Sequence, residues 1–276
     1  MVAFGTSAPE LFVTVQAVLS GDNGIAMGNI VGSNVANVLL VLGVPACVSA
    51  ISLATPGLRR HAVAMVAATL VFCAFVYATG VIGTLAGIVM LCLIAGYIAL
   101  IGRDALRSGG DAELMAEVEE LGAAGQSRLK APLYLLVGIV ALPVGAHLLV
   151  ASGSDIARLL GVRDEVIGLT IVAFGTSLPE LATVFAAALK READVAVGNI
   201  LGSNIFNLLF VGGVAGLVGT SAFSEAARTV DLPVMVLSAL FLAGLVLARG
   251  RIGRALGAAL TLAYVGYVAF LGTAGA

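Results

Sequence analysis

Residues 2–43 read VAFGTSAPELFVTVQAVLSGDNGIAMGNIVGSNVANVLLVLG, and residues 172–213 read VAFGTSLPELATVFAAALKREADVAVGNILGSNIFNLLFVGG. The two stretches align without a gap at an offset of 170 residues, and 22 of the 42 positions are identical. A bias toward small apolar residues does not produce GTSxPEL and GNIxGSNxxN twice at one offset. The sequence therefore indicates a fold built from two related halves.

Composition places these halves in a membrane. The chain has 276 residues, of which 60% are hydrophobic and 11% charged, whereas a soluble domain carries about 25% charged residues. Residues 62–102 and 232–248 contain no charge at all, and a bilayer core requires about 20 apolar residues of a helix. We expect an all-α integral membrane protein, which excludes a nucleic-acid-binding protein, a secreted disulfide scaffold and a soluble enzyme.

Charged and turn-forming residues divide the chain into nine predicted membrane helices. These lie at roughly 1–20, 24–50, 60–78, 81–101, 131–151, 164–189, 194–218, 230–248 and 255–274. The polar stretch 102–130 is a linker between a first half, 1–101, and a second half, 131–276. Helix 131–151 precedes the second copy of the motif and has no counterpart before the first. We therefore predict five helices per half, with the first helix missing from an N-terminally truncated chain.

An odd number of helices per half makes the second copy enter the membrane from the opposite side, so the sequence predicts inverted repeats. Lys and Arg accumulate in cytoplasmic loops. With linker 102–130 inside, eleven basic residues lie on the cytoplasmic side, and only Arg158, Arg163 and Arg228 lie outside. This distribution predicts a multi-pass protein of the bacterial inner (plasma) membrane with a cytoplasmic linker.

Glu10 and Glu180 are the strongest functional signal in the sequence. They occupy equivalent positions of the two motifs, inside apolar segments, whereas the other fourteen Asp and Glu residues are expected in loops or at their edges. An ionisable group in the bilayer costs several kcal/mol and marks an ion or substrate pathway. Pro9 and Pro179 precede these glutamates and should break each helix beside its carboxylate.

Each predicted break adds further oxygen ligands. The freed backbone carbonyls are expected around Ala3, Thr6, Ala173 and Thr176, and the hydroxyls on Thr6, Ser7, Thr176 and Ser177. Polar stripes follow in each copy at i, i+4 and i+8: Asn29, Ser33 and Asn37, then Asn199, Ser203 and Asn207. Beside them, Gly28 and Gly32, with Gly198 and Gly202, have the GxxxG spacing that permits close helix packing.

All these candidate ligands are hard oxygens, and neither motif contains Cys or His. Such a set suits Ca²⁺, Na⁺ or protons and suits transition metals poorly. GTSAPEL with GNIVGSNVAN, and GTSLPEL with GNILGSNIFN, resemble the two alpha repeats of the cation/calcium exchanger superfamily, nearest its bacterial sodium/calcium antiporter branch. The resemblance implies ten helices in two inverted halves and an antiporter that moves Ca²⁺ in exchange for Na⁺ or H⁺ by alternating access.

The resemblance also implies a role for each motif residue. Glu10 and Glu180 become the central calcium ligands, with the carbonyls of Thr6 and Thr176. Calcium and sodium coordination would be completed by Ala3, Ser7, Ser33, Asn37, Ala173, Ser177, Ser203 and Asn207. Several members of the superfamily have Asp where this chain has Asn207, so the number and identity of the counter-ions stay open.

Two other functions compete with antiport. A passive cation channel could use the same oxygens, and an intramembrane hydrolase could use Ser7 or Ser177 as its nucleophile. The hydrolase lacks a base, because neither repeat places a His or Lys near these serines. We therefore expect a transporter rather than an enzyme, with no cofactor, whose partners are the transported cations and the lipid bilayer. The oligomeric state stays open.

Overall fold

The structure is a computed structural model that describes residues 5–55, 57–107 and 158–274, with isolated positions between 144 and 156. The predicted helix 131–151, most of linker 102–130, and Ala3 lie outside the described residues.

The described chain is almost entirely helical. The first half contains α1 (Ala8–Ser20), α2 (Asn23–Val48), α3 (Leu58–Thr79) and α4 (Thr84–Arg107). The second half contains α5 (Asp164–Thr176), α6 (Leu178–Lys190), α7 (Ala193–Val218), α8 (Ala227–Leu247) and α9 (Arg254–Ala274).

Within the described residues, α2, α3, α4, α7, α8 and α9 are each long and apolar enough to cross a membrane. α5 and α6 together make a seventh span, bent by 45°, and α1 is a shorter apolar helix. A multi-pass membrane protein follows, whereas the count of nine helices stays a prediction. α4 continues to Arg107, so the first residues assigned to the linker are helical.

Four short strands join the two halves at the helix ends. β1 (Ile51–Ser52) pairs antiparallel with β4 (Arg251–Ile252), and β2 (Val81–Ile82) pairs antiparallel with β3 (Ser221–Ala222). The offset of 170 residues converts one ribbon into the other, because the partners Ile51 and Ile252 correspond to Ser221 and Ile82. Both ribbons therefore obey the repeat that the motifs predict.

The expected close approach of glycines occurs at the first motif. A Cβ atom added to Gly28 would lie 2.8 Å from the backbone nitrogen of Leu169 on α5, and one added to Gly32 would lie 2.7 Å from the Leu169 carbonyl oxygen. The backbones of α2 and α5 therefore touch where side chains would separate them. The equivalent Gly198 has no such neighbour within 4 Å among the described residues.

Asp231 departs from the expectation that acidic residues outside the motifs lie in or beside loops. It belongs to α8, its side chain is buried, and it accepts a 2.8 Å hydrogen bond from the hydroxyl of Tyr267 on α9. The equivalent positions of the first half are His61 and Tyr97, which are also hydrogen-bonded, at 2.6 Å. The same pair of positions is therefore hydrogen-bonded in both halves. Tyrosine is present in both, and its partner is Asp in the second half and His in the first.

Candidate functional site

Glu10 and Glu180 lie in the first turns of α1 and α6, and both side chains are fully buried. Pro9 and Pro179 stand just before them, within the first two helical positions, where the missing N–H of proline costs no hydrogen bond. The positive end of each helix dipole therefore lies at its carboxylate, which favours negative charge there.

The predicted helix break is present at the second motif. α5 ends at Thr176, α6 begins at Leu178, and the two helices are bent by 45° around Ser177. Ser177 has φ −82° and ψ 5°, and its repeat partner Ser7 has φ −87° and ψ 10°. Because these backbone angles agree, the chain enters α1 and α6 in the same conformation and presents both glutamates alike.

The two halves meet at these carboxylates. Ser7, from the first half, donates a 2.7 Å hydrogen bond to Oε1 of Glu180, and Ser203 donates to the same oxygen at 3.4 Å. Thr6 also hydrogen-bonds Glu180. The Glu10 carboxylate is close enough to interact with the charge of Glu180. Two negative groups buried side by side repel each other unless cations or protons accompany them.

Several oxygen atoms around the carboxylates are buried without a hydrogen-bond donor among the described residues. Within that part of the chain, no partner at hydrogen-bonding distance and angle is present for Oε1 and Oε2 of Glu10, Oε2 of Glu180, Oγ of Ser177, or Oδ1 of Asn37 and Asn207. The Ser177 hydroxyl nevertheless lies close enough to interact with the Glu10 carboxylate, as its repeat partner Ser7 does with Glu180. Buried polar atoms normally find a partner, so an unpartnered group of this kind requires an explanation. Here the unpartnered oxygens include both glutamates and both equivalent asparagines of the motifs, which is the donor set of a hard cation.

The amide of Asn37 is oriented by a residue that the sequence did not single out. Asn37 donates through Nδ2 to Oδ1 of Asn204 at 3.0 Å, which leaves its own Oδ1 as a free acceptor. Asn204 is buried and in turn donates to the carbonyl of Asn34 at 3.3 Å. Asn34 and Asn204 are repeat partners. Their presence in both GSN triplets is the sequence signal that could have identified them as residues of the candidate site.

Other predicted ligands are engaged in hydrogen bonds within the protein. Thr176 Oγ1 donates to Oδ1 of Asn29 at 3.0 Å, and Ser33 Oγ accepts from Nδ2 of Asn207 at 3.4 Å. The Ala173 carbonyl accepts the Ser177 amide at 3.1 Å. In this conformation these groups hold the site together, whereas the glutamates, Asn37 and Asn207 keep oxygens without a geometric hydrogen-bond partner.

Asn29 and Asn199 occupy equivalent positions but differ in their contacts. Asn29 donates to Thr14 Oγ1 at 2.9 Å and to the Glu10 carbonyl at 3.2 Å, in addition to accepting from Thr176. Both polar atoms of Asn199 lack a partner among the described residues. One reason is visible in the sequence, because Val184 replaces Thr14 in the second copy. Within the described residues, the asparagine of the first motif therefore makes three hydrogen bonds where its repeat partner makes none.

Both long motif helices widen where their asparagines stand. α2 is π-helical over Asn37–Val41 and α7 over Asn207–Val211, so each wide turn begins at the motif asparagine. The amide of Leu42 donates to the Asn37 carbonyl across five residues at 3.2 Å. Single π turns inside α-helices are frequent at functional sites. These turns shift the register of the helix beside the carboxylates, and periodicity alone does not predict them.

The assembled site has two carboxylates, open amide and hydroxyl oxygens, and contributions from both halves. Within the described residues, no cluster of three or more His, Cys, Asp or Glu side chains could hold a metal ion. The arrangement can compensate about two positive charges and coordinate them with oxygen, which matches one divalent or two monovalent hard cations.

Comparison with known proteins identifies the family of this chain. The family model for sodium/calcium exchanger proteins matches residues 1–102 and 130–273. The inner membrane protein YrbG of Escherichia coli is 34% identical over 275 residues, which cover 98% of this chain and 84% of YrbG. The putative antiporter CaxA of Alkalimonas amylolytica is 35% identical, with 97% of this chain and 84% of CaxA covered.

The similarity extends to an archaeal relative and to a solved structure. The sodium/calcium exchanger MaX1 of Methanosarcina acetivorans is 30% identical, with 98% of this chain and 87% of MaX1 covered. A structure of the sodium-calcium exchanger NCX_Mj superposes with a TM-score of 0.74 at 29% identity, covering 97% of this chain and 83% of the other. MaX1 and NCX_Mj are sodium/calcium exchangers, which are transporters rather than enzymes. The chain belongs to the sodium/calcium exchanger family of membrane antiporters.

Proposed function

We propose that this chain carries Ca²⁺ across the membrane in exchange for Na⁺ or H⁺, and that Glu10 and Glu180 bind both kinds of ion in turn. The observation that carries the proposal is the set of buried, unpartnered oxygens shared between the two halves. A protein that only folded around these groups would leave them without hydrogen bonds at a cost of about 1–3 kcal/mol each. A bound hard cation satisfies them all at once.

Exchange follows from competition for the same oxygens. Two ionised glutamates carry a charge that one Ca²⁺, two Na⁺ or two protons balance. A site holding Ca²⁺ together with additional cations would be positive and buried, which is unfavourable. Calcium therefore leaves when monovalent ions enter. Because Asn207 is neutral, we infer a coupling nearer two monovalent ions per calcium than three, and protonation of the glutamates is one way to supply them.

The ribbons support inverted repeats, an arrangement common in transporters that work by alternating access. β1 precedes α3 and β2 follows it, so the two ribbons lie at opposite ends of this span. β3 is the repeat copy of β1, yet it pairs with β2. Equivalent strands thus lie at opposite membrane faces, which supports halves of opposite orientation. Rocking of such halves around one central site exposes it to each side in turn.

The remaining motif residues complete the proposed coordination. Ser177, Asn37 and Asn207 supply open side-chain oxygens beside the glutamates. Further oxygens belong to groups that are already hydrogen-bonded within the protein and that keep lone pairs for a cation; they are Ser7, Ser33, Ser203, Thr6, Thr176 and the Ala173 carbonyl. Ala3 is proposed from its place in the motif alone. The distribution of Lys and Arg supports a cytoplasmic position for linker 102–130 and for the Arg-rich helix ends, in a bacterial inner membrane.

The test is calcium flux into vesicles that contain the purified full chain. Outward gradients of Na⁺ and of H⁺ are imposed separately, each with the membrane potential clamped at zero. We expect one of these gradients to drive Ca²⁺ inward against its own gradient. Calcium that only runs down its gradient, unaffected by either counter-ion, would contradict antiport and identify a passive channel.

A matched pair of variants ties the flux to the site. Glu180→Gln keeps the size of the side chain but removes one buried charge, so we expect coupled calcium flux to fall at least a hundredfold. Glu225→Gln makes the same change at an exposed position and should transport like the original chain. Near-normal flux in Glu180→Gln would overturn the site assignment while leaving the family membership intact.

A further inference from the structure

A second polar feature lies away from the glutamates, at the end of the molecule that carries the β1–β4 ribbon. It is an open cavity of about 1070 Å³ between the ends of α2 and α6 and the starts of α7 and α9. Three arginines line it, Arg191, Arg251 and Arg254, together with Ser49, Ser52 and Val48. The exchange site does not use any of these residues.

Within the part of the chain that the structure describes, the arginines of this cavity have no carboxylate partner. Among the described residues, ion pairs are formed by Arg60 and Arg158, not by these three. Glu192 and Asp194 follow Arg191 in the chain, yet neither lines the cavity. Among the described residues, the cavity thus collects positive charge that no ion pair compensates.

Two helix starts add to this positive potential. Gly253 and Arg254 at the start of α9, and Ala193 at the start of α7, also line the cavity. The first backbone bonds of these helices are donated by Gly257 and Ala196, so the amides of the preceding turn have no acceptor within their own helix. Such amides and the helix dipole favour an anion.

The charge is specific to this end of the molecule. The positions that precede the three arginines by 170 residues are Gly21, Val81 and Thr84, all uncharged. The repeated architecture therefore does not require basic residues here, and the opposite ribbon lacks them.

Arg191 is also kept in an unfavourable backbone conformation. It caps α6 with φ +63°, in the left-handed region that residues with a Cβ rarely adopt, whereas its repeat partner Gly21 caps α1 with φ +82°. Glycine is the residue that this cap favours, and the first copy has it. An arginine at the second cap costs stability, which is consistent with a function for its side chain.

We propose that this cavity binds the phosphate headgroup of an anionic phospholipid. It lies at the ends of apolar spans, which are long enough to bring their ends to the headgroup region of a bilayer. Basic pockets between membrane helices bind such headgroups. Val48 lines the cavity and is 48% exposed, so apolar surface for an acyl chain adjoins the arginines. A soluble phosphate would use the arginines but not this apolar edge.

The test measures thermal unfolding of the purified full chain in neutral detergent during titration with phosphatidylglycerol, phosphatidylcholine or inorganic phosphate. We expect a saturable rise in unfolding temperature with phosphatidylglycerol alone. Arg251→Gln and Arg254→Gln should each weaken binding, raising the half-saturating concentration of phosphatidylglycerol about fivefold. The matched control is Arg103→Gln, an exposed arginine at the same end of the molecule that does not line the cavity.

Arg191→Gly separates binding from folding. Restoring glycine at the cap should leave the lipid-free unfolding temperature unchanged or higher, and still weaken phosphatidylglycerol binding about fivefold. An equal loss of phosphatidylglycerol binding in Arg103→Gln would mean that diffuse surface charge attracts the lipid, which would overturn the cavity assignment. Equal stabilisation by phosphatidylcholine, or by inorganic phosphate with no further effect of lipid, would overturn the anionic lipid as ligand.

Discussion

Asn207→Asp tests how the charge of the site sets the coupling ratio. Asn207 is fully buried, its Oδ1 is unpartnered, and its Nδ2 makes one long hydrogen bond, 3.4 Å, to Ser33. Replacement by Asp removes the amide donor and adds a third carboxylate to those of Glu10 and Glu180. The ligand set then balances three monovalent ions rather than two, while calcium still brings two charges. Each cycle of three-for-one exchange would move one net charge across the membrane.

The expected magnitude follows from that single charge. Moving one elementary charge through 100 mV corresponds to about 2.3 kcal/mol, which is roughly a fiftyfold change in the calcium ratio at equilibrium. Vesicles whose potential is clamped with potassium and valinomycin provide the assay, with steady-state calcium accumulation as the readout. We expect no voltage effect in the original chain and roughly a fiftyfold effect in Asn207→Asp. A strong voltage effect in the original chain, or none in the variant, would refute the charge count.

Two further predictions compare equivalent positions of the repeats. Asn29→Ala removes three buried hydrogen bonds and should lower the free energy of unfolding by about 3 kcal/mol. Asn199→Ala should lower it by less than about 1 kcal/mol. Equal losses in denaturant titrations would contradict the difference in hydrogen bonding between the two motifs. Gly32→Ala places a Cβ against the Leu169 backbone and should cost about 2 kcal/mol. Gly198→Ala meets no atom within 4 Å among the described residues and should be neutral or slightly stabilising. A comparable loss there would show that the cost at Gly32 does not come from the α2–α5 contact.

Residue chemistry made the two buried carboxylates at the centre of the candidate site predictable. A carboxylate in an apolar segment is so costly that Glu10 and Glu180 stand out without any structure, and the duplication identifies them as a pair. Proline predicts the break at Pro179 for an equally local reason, since it cannot donate a helical hydrogen bond. The close approach at Gly28 and Gly32 was predictable from spacing as well.

Features that depend on the partner segment were not predictable. The π turns at Asn37 and Asn207 are not marked by the apolar periodicity, which does not distinguish a π turn from an α turn. Asn204 lies off the i, i+4, i+8 stripe, so its contact with Asn37 appears only when the halves are assembled. Asp231 lies at the start of the predicted helix 230–248, where an acidic residue is ordinary. Its buried hydrogen bond with Tyr267 depends on a residue that is distant in sequence.

Equilibrium binding of radioactive calcium to the purified chain tests the central claim most directly, because it requires neither orientation nor coupling. We predict about one calcium ion per chain, displaced competitively by Na⁺ or by acid, with binding lost in both Glu10→Gln and Glu180→Gln and retained in Glu225→Gln. Unchanged calcium binding in either of the first two variants would contradict a shared site between the two glutamates.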